Sequence, residues 1–106
     1  MKYQNKVAPD DCSGMEDIRY EIDALDRDII ILLGKRFKYV KSAAKFKTSE
    51  ATVRAPDRFE AMLAQRRGWA AAEGLSPDAI EKMYRDLVDY FVKEEMTRWQ
   101  AESTNK

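Results

Sequence analysis

Between Ile18 and Phe46 the chain repeats a core-type position at alternating steps of four and three: Ile18, Ile22, Leu25, Ile29, Leu32, Arg36, Tyr39, Ala43 and Phe46. No proline interrupts the run, and a seam of this period suits a helix and no strand, so it predicts one long helix. Gly34 is its weak position, at about 1 kcal/mol against alanine. Ser13 and Glu16 stand three apart just ahead of the seam and read as a capping box. The helix should therefore start near Gly14 and run to about Lys47.

The segment TSEATVRA, residues 48–55, is rich in β-branched and small polar residues and leads into Pro56, so it reads as a connecting loop. A second helix from Pro56 or Asp57 puts Phe59, Met62, Leu63, Arg66, Trp69 and Ala70 on one face and stops at Gly74, a left-handed C′ residue. Ser76 and Pro77 cap a third helix, which turns Ile80, Tyr84, Leu87, Phe91, Glu95 and Trp99 toward the core. Residues 1–12 read as an N-terminal tail. The closing AESTNK, from 101 or 102 onward, reads as a frayed end. The expected fold is all-α, a single domain of three helices over residues 1–106 with a long first helix.

Length then forces an inference about assembly. A first helix of about 34 residues, at roughly 1.5 Å per residue, extends about 50 Å, and the second is about half as long. One chain cannot cover the whole seam, and an uncovered apolar stripe of that size marks an interface. Two copies packed antiparallel about a twofold axis solve the problem, so an intertwined homodimer is expected.

Composition narrows the chemistry. Nineteen basic against nineteen acidic residues give zero net charge, so no global field points to nucleic acid or an anionic membrane as a partner. The opening MKYQNKVAPDDC has no apolar h-region and no run approaches membrane-spanning length, so neither a signal peptide nor a span is expected. The single cysteine, Cys12, cannot form an intrachain disulfide, which favours a reducing compartment and a cytoplasmic location. Histidine is absent and one cysteine builds no thiolate site, so the expectation is chemistry without metal or cofactor.

A cation on a core seam needs a reason. Arg36 can snorkel along apolar neighbours or pair with an acid of another helix. Lys47, eleven residues on, points the same way if the helix continues, with the two Cα atoms about 16 Å apart, so both side chains can converge on a ligand between them. As a last-turn lysine it also suits the helix dipole. Arg19 lies about 42 Å from Lys47 on the same rise, out of reach within its own chain, but an antiparallel partner can bring it in. Three such cations suit a compact dicarboxylate. Glu95, on the buried side of the third helix, is either the ion-pair partner of one of these arginines or a pocket residue. In a pocket with few cation contacts, desolvation raises its pKa and makes it a hydrogen-bond donor. Glu94 faces about 100° away and reads as surface.

The stretch DIRYEIDALDRDIIILLGKRFKYVKSAAKFK, followed by VRAPDR, resembles the all-helical chorismate mutase class. The opening from Asp11 to Arg19, D-C-[ST]-G-x-x-D-I-R, is similar to that of the isochorismate-pyruvate lyases of salicylate and siderophore synthesis within that class. The likeness runs from about Asp10 to Trp99. It implies an intertwined dimer of three-helix chains with two composite sites. Arg36 and Arg19 of the partner subunit would bind the ligand's carboxylates, Lys47 would sit against the enolpyruvyl ether, and Arg58 would add a carboxylate contact. The 48–55 loop, with Arg54 and Arg58 at its exit, reads as a lid or as a plain surface connection, with Arg54 a solvated charge.

This chain departs from the mutases at two acceptor positions. Ala55 and Phe59 stand where that class has an Asp and a Glu, and the Glu receives the ring hydroxyl of chorismate. Their loss fits isochorismate, whose hydroxyl has moved. Glu95 takes the place of a Gln that contacts the ether oxygen. The expected activity is thus isochorismate-pyruvate lyase with weak mutase activity, and catalysis falls to Lys47, Glu95 and Arg36. The alternatives are a chorismate mutase proper and a non-enzymatic dimerisation module whose seam charges set register.

Overall fold

A computed structural model of the chain describes residues 3–104. They form four α-helices: α1 (Met15–Ala43), α2 (Glu50–Arg54), α3 (Pro56–Ala72) and α4 (Pro77–Thr104). Two 3-10 turns, Pro9–Asp11 and Ala44–Phe46, complete the described residues, which contain no strand. The three long helices match the sequence expectation, and none of the described helices is long and apolar enough to cross a membrane. The chain divides into two compact units, one up to Lys38 and one from Tyr39 on.

In the first unit the N-terminal segment lies against the start of α1. Glu21 is the buried residue of α1, and its carboxylate accepts hydrogen bonds from the Tyr3 hydroxyl and from the Lys6 and Val7 amides. Three donors offset the desolvation of one charge. The Lys6 ammonium sits 4.5 Å from the centre of the Tyr20 ring. A small cavity of about 170 Å³ remains where Tyr3, Val7, Pro9 and Cys12 face Ile18, Ile22 and Leu25. Farther along the seam Ile29 is 50% and Leu32 56% exposed.

The helix start differs in detail from the capping box expected at Ser13 and Glu16. The backbone amide and hydroxyl of Ser13 both donate to Asp17 Oδ2, at 2.9 Å each. The acid one residue later thus holds the entry of the chain, and these two bonds draw the Asp17 carboxyl below its ordinary pKa.

The second unit packs α3 against α4, with α2 seated on α4. Its core is Ala44, Val53, Met62, Leu63, Ala70, Phe91 and Met96. The α3–α4 corner forms as the sequence predicts. Gly74 is left-handed at φ 75°, its amide donates to Ala71 O at 3.1 Å, and the Leu75 amide donates to Ala70 O at 2.8 Å. That bond pair is a Schellman ending. Ser76 Oγ then accepts the Ala79 amide and caps α4. Arg85 links the two helices on the outside, reaching Glu81 at 2.9 Å and Glu60 at 3.4 Å.

Three sequence expectations are corrected here. α1 does not run to Lys47: it ends at Ala43, a 3-10 turn follows, and Lys47 is extended at φ −90°, ψ 139°. The tighter turn carries Ala44, only 1% exposed, onto α4 and leaves Phe46 76% exposed, so the seam stops short of Phe46. The expected loop at 48–55 contains the one-and-a-half-turn helix α2. There Ser49 Oγ accepts the Thr52 amide while Thr52 Oγ1 accepts the Ser49 amide, a capping box with threonine in place of an acid, and Val53 is buried beneath it. Finally, α4 continues through Ala101–Thr104 where fraying was expected, with Arg98 and Glu102 paired at 3.3 Å one turn apart. Residues 105 and 106 of that expected frayed end lie outside the described residues.

Candidate active site

Lys47 is where the chain leaves helical geometry, and its polar groups are all engaged. Its amide donates to Ala44 O at 3.2 Å and closes the 3-10 turn. Its carbonyl, freed by the extended backbone, accepts the Trp99 indole N–H at 3.0 Å. Its ammonium donates to Thr52 O at 3.1 Å, a carbonyl near the C-terminal end of α2, where helices carry unsatisfied acceptors and partial negative charge.

Glu95 lies one turn before Trp99 on the same face of α4 and is 5% exposed. Its Oε2 is sealed from solvent and receives no hydrogen bond among the described residues. Burial raises its pKa above the ordinary carboxylate value, and the nearby charge of Lys47 partly opposes the rise. The site therefore combines a fixed cation with a buried carboxyl biased toward its neutral, donor form. Glu94 is exposed, as expected.

The other expected site residues sit as follows. Arg36 is half-buried on α1, and Arg19 is exposed in the second turn of the same helix. Seventeen positions separate them, about 25 Å along one continuous helix, so one chain cannot bring both to one small ligand. Arg58 is exposed in the first turn of α3. Arg54 is exposed and paired with Glu50 at 3.6 Å, a solvated charge as expected. Ala55 joins α2 to α3 in the left-handed region, at φ 40°, ψ 63°. Phe59 lies 5.5 Å from the Arg85 guanidinium in a separate open cavity of about 370 Å³. Neither residue supplies an acidic acceptor.

Sequence reasoning placed Trp99 in the core and missed its bond to Lys47. It also missed Thr52 as the acceptor for the ammonium. The Ser49–Thr52 spacing carried a signal for α2, and the four-residue step from Glu95 to Trp99 put both on one face. The partner across the fold, 52 residues away for Trp99, has no sequence signature.

A model of the family "chorismate mutase type II" matches residues 18–96, and the chain belongs to that family. It is 42% identical to the isochorismate pyruvate lyase of Pseudomonas aeruginosa over 91 residues, which are 86% of this chain and 90% of that protein. The T-protein of Haemophilus influenzae is 42% identical and that of Enterobacter agglomerans 36%, each over 72 residues that make up 67% of this chain and 19% of the T-protein.

Proposed function

We propose that the protein is an isochorismate-pyruvate lyase with weak chorismate mutase activity, acting as a cytoplasmic homodimer whose copies build each site together. In salicylate-dependent siderophore synthesis that activity supplies the phenolic acid. In the reaction the ring hydrogen moves to the methylene of the enolpyruvyl arm as the ether C–O bond breaks. Pyruvate leaves and the ring becomes salicylate. Such a concerted step needs no base or nucleophile. It needs a folded substrate conformer and donors at the ether oxygen, where negative charge grows.

The observation that carries this reading is the juxtaposition of Lys47 with a buried, incompletely hydrogen-bonded Glu95 in a chain without histidine. Lys47 donates to the ether side, and neutral Glu95 adds a second donor. Arg36 and Arg19 of the partner subunit hold the two carboxylates, with Arg58 assisting one of them. Nearly full-length likeness to a lyase, against a match to one fifth of the T-proteins, supports the choice. The non-acidic Ala55 and Phe59 favour isochorismate over chorismate.

Purified protein given isochorismate should produce salicylate, read by its fluorescence, and pyruvate in equal amounts. Given chorismate it should form prephenate slowly. Prephenate as the faster product would replace the lyase reading with the mutase one, and no turnover of either substrate would favour the dimerisation module. Lys47→Ala and Arg36→Ala should each lower lyase kcat/KM at least a hundredfold, about 2.7 kcal/mol, with the far-ultraviolet circular dichroism unchanged. Full activity in both would sink the proposed site.

A further inference from the structure

We propose that Trp99 is a positioning residue for the reaction: its indole N–H clamps the Lys47 carbonyl and so fixes where the Lys47 ammonium stands relative to Glu95. This rests on the lyase reading of the Lys47–Glu95 site and extends it to a residue that touches no substrate.

The geometry isolates the clamp. Residue 47 follows a 3-10 turn and is itself extended, so its carbonyl is left outside any helical hydrogen-bond ladder. Its amide is already committed to Ala44, and Ala44 is buried against α4, which fixes the chain on the upstream side. On the downstream side the chain goes to α2 through the exposed residues Thr48 and Ser49. The amides of those two residues donate to Thr52 Oγ1 and so tie them to α2, whereas the Trp99 indole ties the Lys47 carbonyl itself to α4, at 3.0 Å in a partly buried setting. Trp99 and Glu95 are one turn apart on one rigid helix, so the group that holds the lysine backbone and the carboxyl that faces its charge move as a unit.

A lysine side chain has four rotatable carbons and a point charge, so its placement depends on its backbone anchor and its acceptor. The acceptor is Thr52 O on the short helix α2, an element with little burial beyond Val53. Losing the indole donor frees the Lys47 carbonyl and leaves the residue held by its amide on Ala44 and its ammonium on α2. Misplacement by about 1 Å at a reacting centre is enough for a large loss of rate while ground-state binding stays intact. Carboxylate anchoring by the arginines does not depend on Trp99, so the effect belongs to kcat.

The test is Trp99→Phe in the whole 106-residue chain, assayed for salicylate formation from isochorismate. Expected is a kcat at least tenfold lower, with KM within threefold of the parent and an unchanged sedimentation coefficient. In the parent protein the Trp99 indole N–H should exchange with solvent more slowly than that of Trp69, which is 54% exposed. A kcat within twofold of the parent overturns the proposal, as does a rise in KM that accounts for the whole loss. Should Trp99→Phe fail to fold, benzothienylalanine at position 99 keeps the ring shape without the donor, and the same two outcomes apply to it. Lys47→Ala separates the two levels: if it retains full turnover, the lyase site itself is wrong. If it is inactive while Trp99→Phe is unimpaired, only the clamp is wrong.

Discussion

Burial of Glu95, 5% exposed, makes its carboxyl hold the proton to higher pH than a free one, and the Lys47 charge offsets part of that rise. Because the folded-state pKa is raised, the contribution of Glu95 to stability is whole below the ordinary carboxylate range. It is lost as pH rises through the raised value. Glu95→Gln is neutral at every pH and keeps a donor in place. We therefore expect the thermal midpoint of the parent to fall relative to Glu95→Gln as pH climbs out of the acid range, in paired melting curves. Salicylate formation by the variant should likewise hold up above neutrality where the parent declines, and coincident pH profiles would dismiss a role for the proton. Glu21 has the opposite logic. Three donors from the tail lower its pKa, and the reciprocal bond pushes the Tyr3 phenol up to about 12, so this anchor is present across the physiological range and weakens in acid as Glu21 protonates and in strong alkali as Tyr3 ionises.

At the scale of elements, the segment from Ala44 to Ala55 frames the proposed site. Its turn and five-residue helix rest on side chains that bond to the backbone: Ser49 and Thr52 cap each other, and Trp99 holds Lys47. Loss of an N-cap serine costs about 1 kcal/mol, which is about fivefold in a local opening equilibrium. Ser49→Ala should therefore raise the exchange rates of the Val53 and Ala55 amides about fivefold, while leaving those of α3 and α4 unchanged. Equal protection in both proteins would mean that the capping box does not hold α2. Ala55, left-handed without being glycine, is the strained joint between α2 and α3.

At the scale of the whole molecule, a continuous α1 with Arg19 and Arg36 about 25 Å apart gives the proposed composite site a strict arithmetic. The exposed Ile29 and Leu32 supply the apolar surface that a second copy would cover. We expect the parent to sediment as a dimer and Ile29→Asp to sediment as a monomer with turnover reduced at least tenfold. Mixing inactive Arg19→Ala with inactive Arg36→Ala should restore about a quarter of parental turnover, because half of the dimers are mixed and each carries one intact site. No recovery on mixing would place both arginines outside a shared site.

The sequence by itself determined the all-helical class, the long seam helix, the glycine ending at Gly74 and the Ser76 cap, because period and capping are local properties written in neighbouring residues. It also singled out Lys47 and Glu95 as candidates, Lys47 by its eleven-residue spacing from Arg36 and Glu95 as an acid on the buried side of the third helix. Only the tertiary structure decided that α1 stops at Ala43, that α2 forms, that Glu21 gathers the N-terminal segment and that Trp99 grips Lys47. Those outcomes depend on which carbonyls and carboxylates lose water when distant parts of the chain meet, a condition that spacing along the chain does not encode.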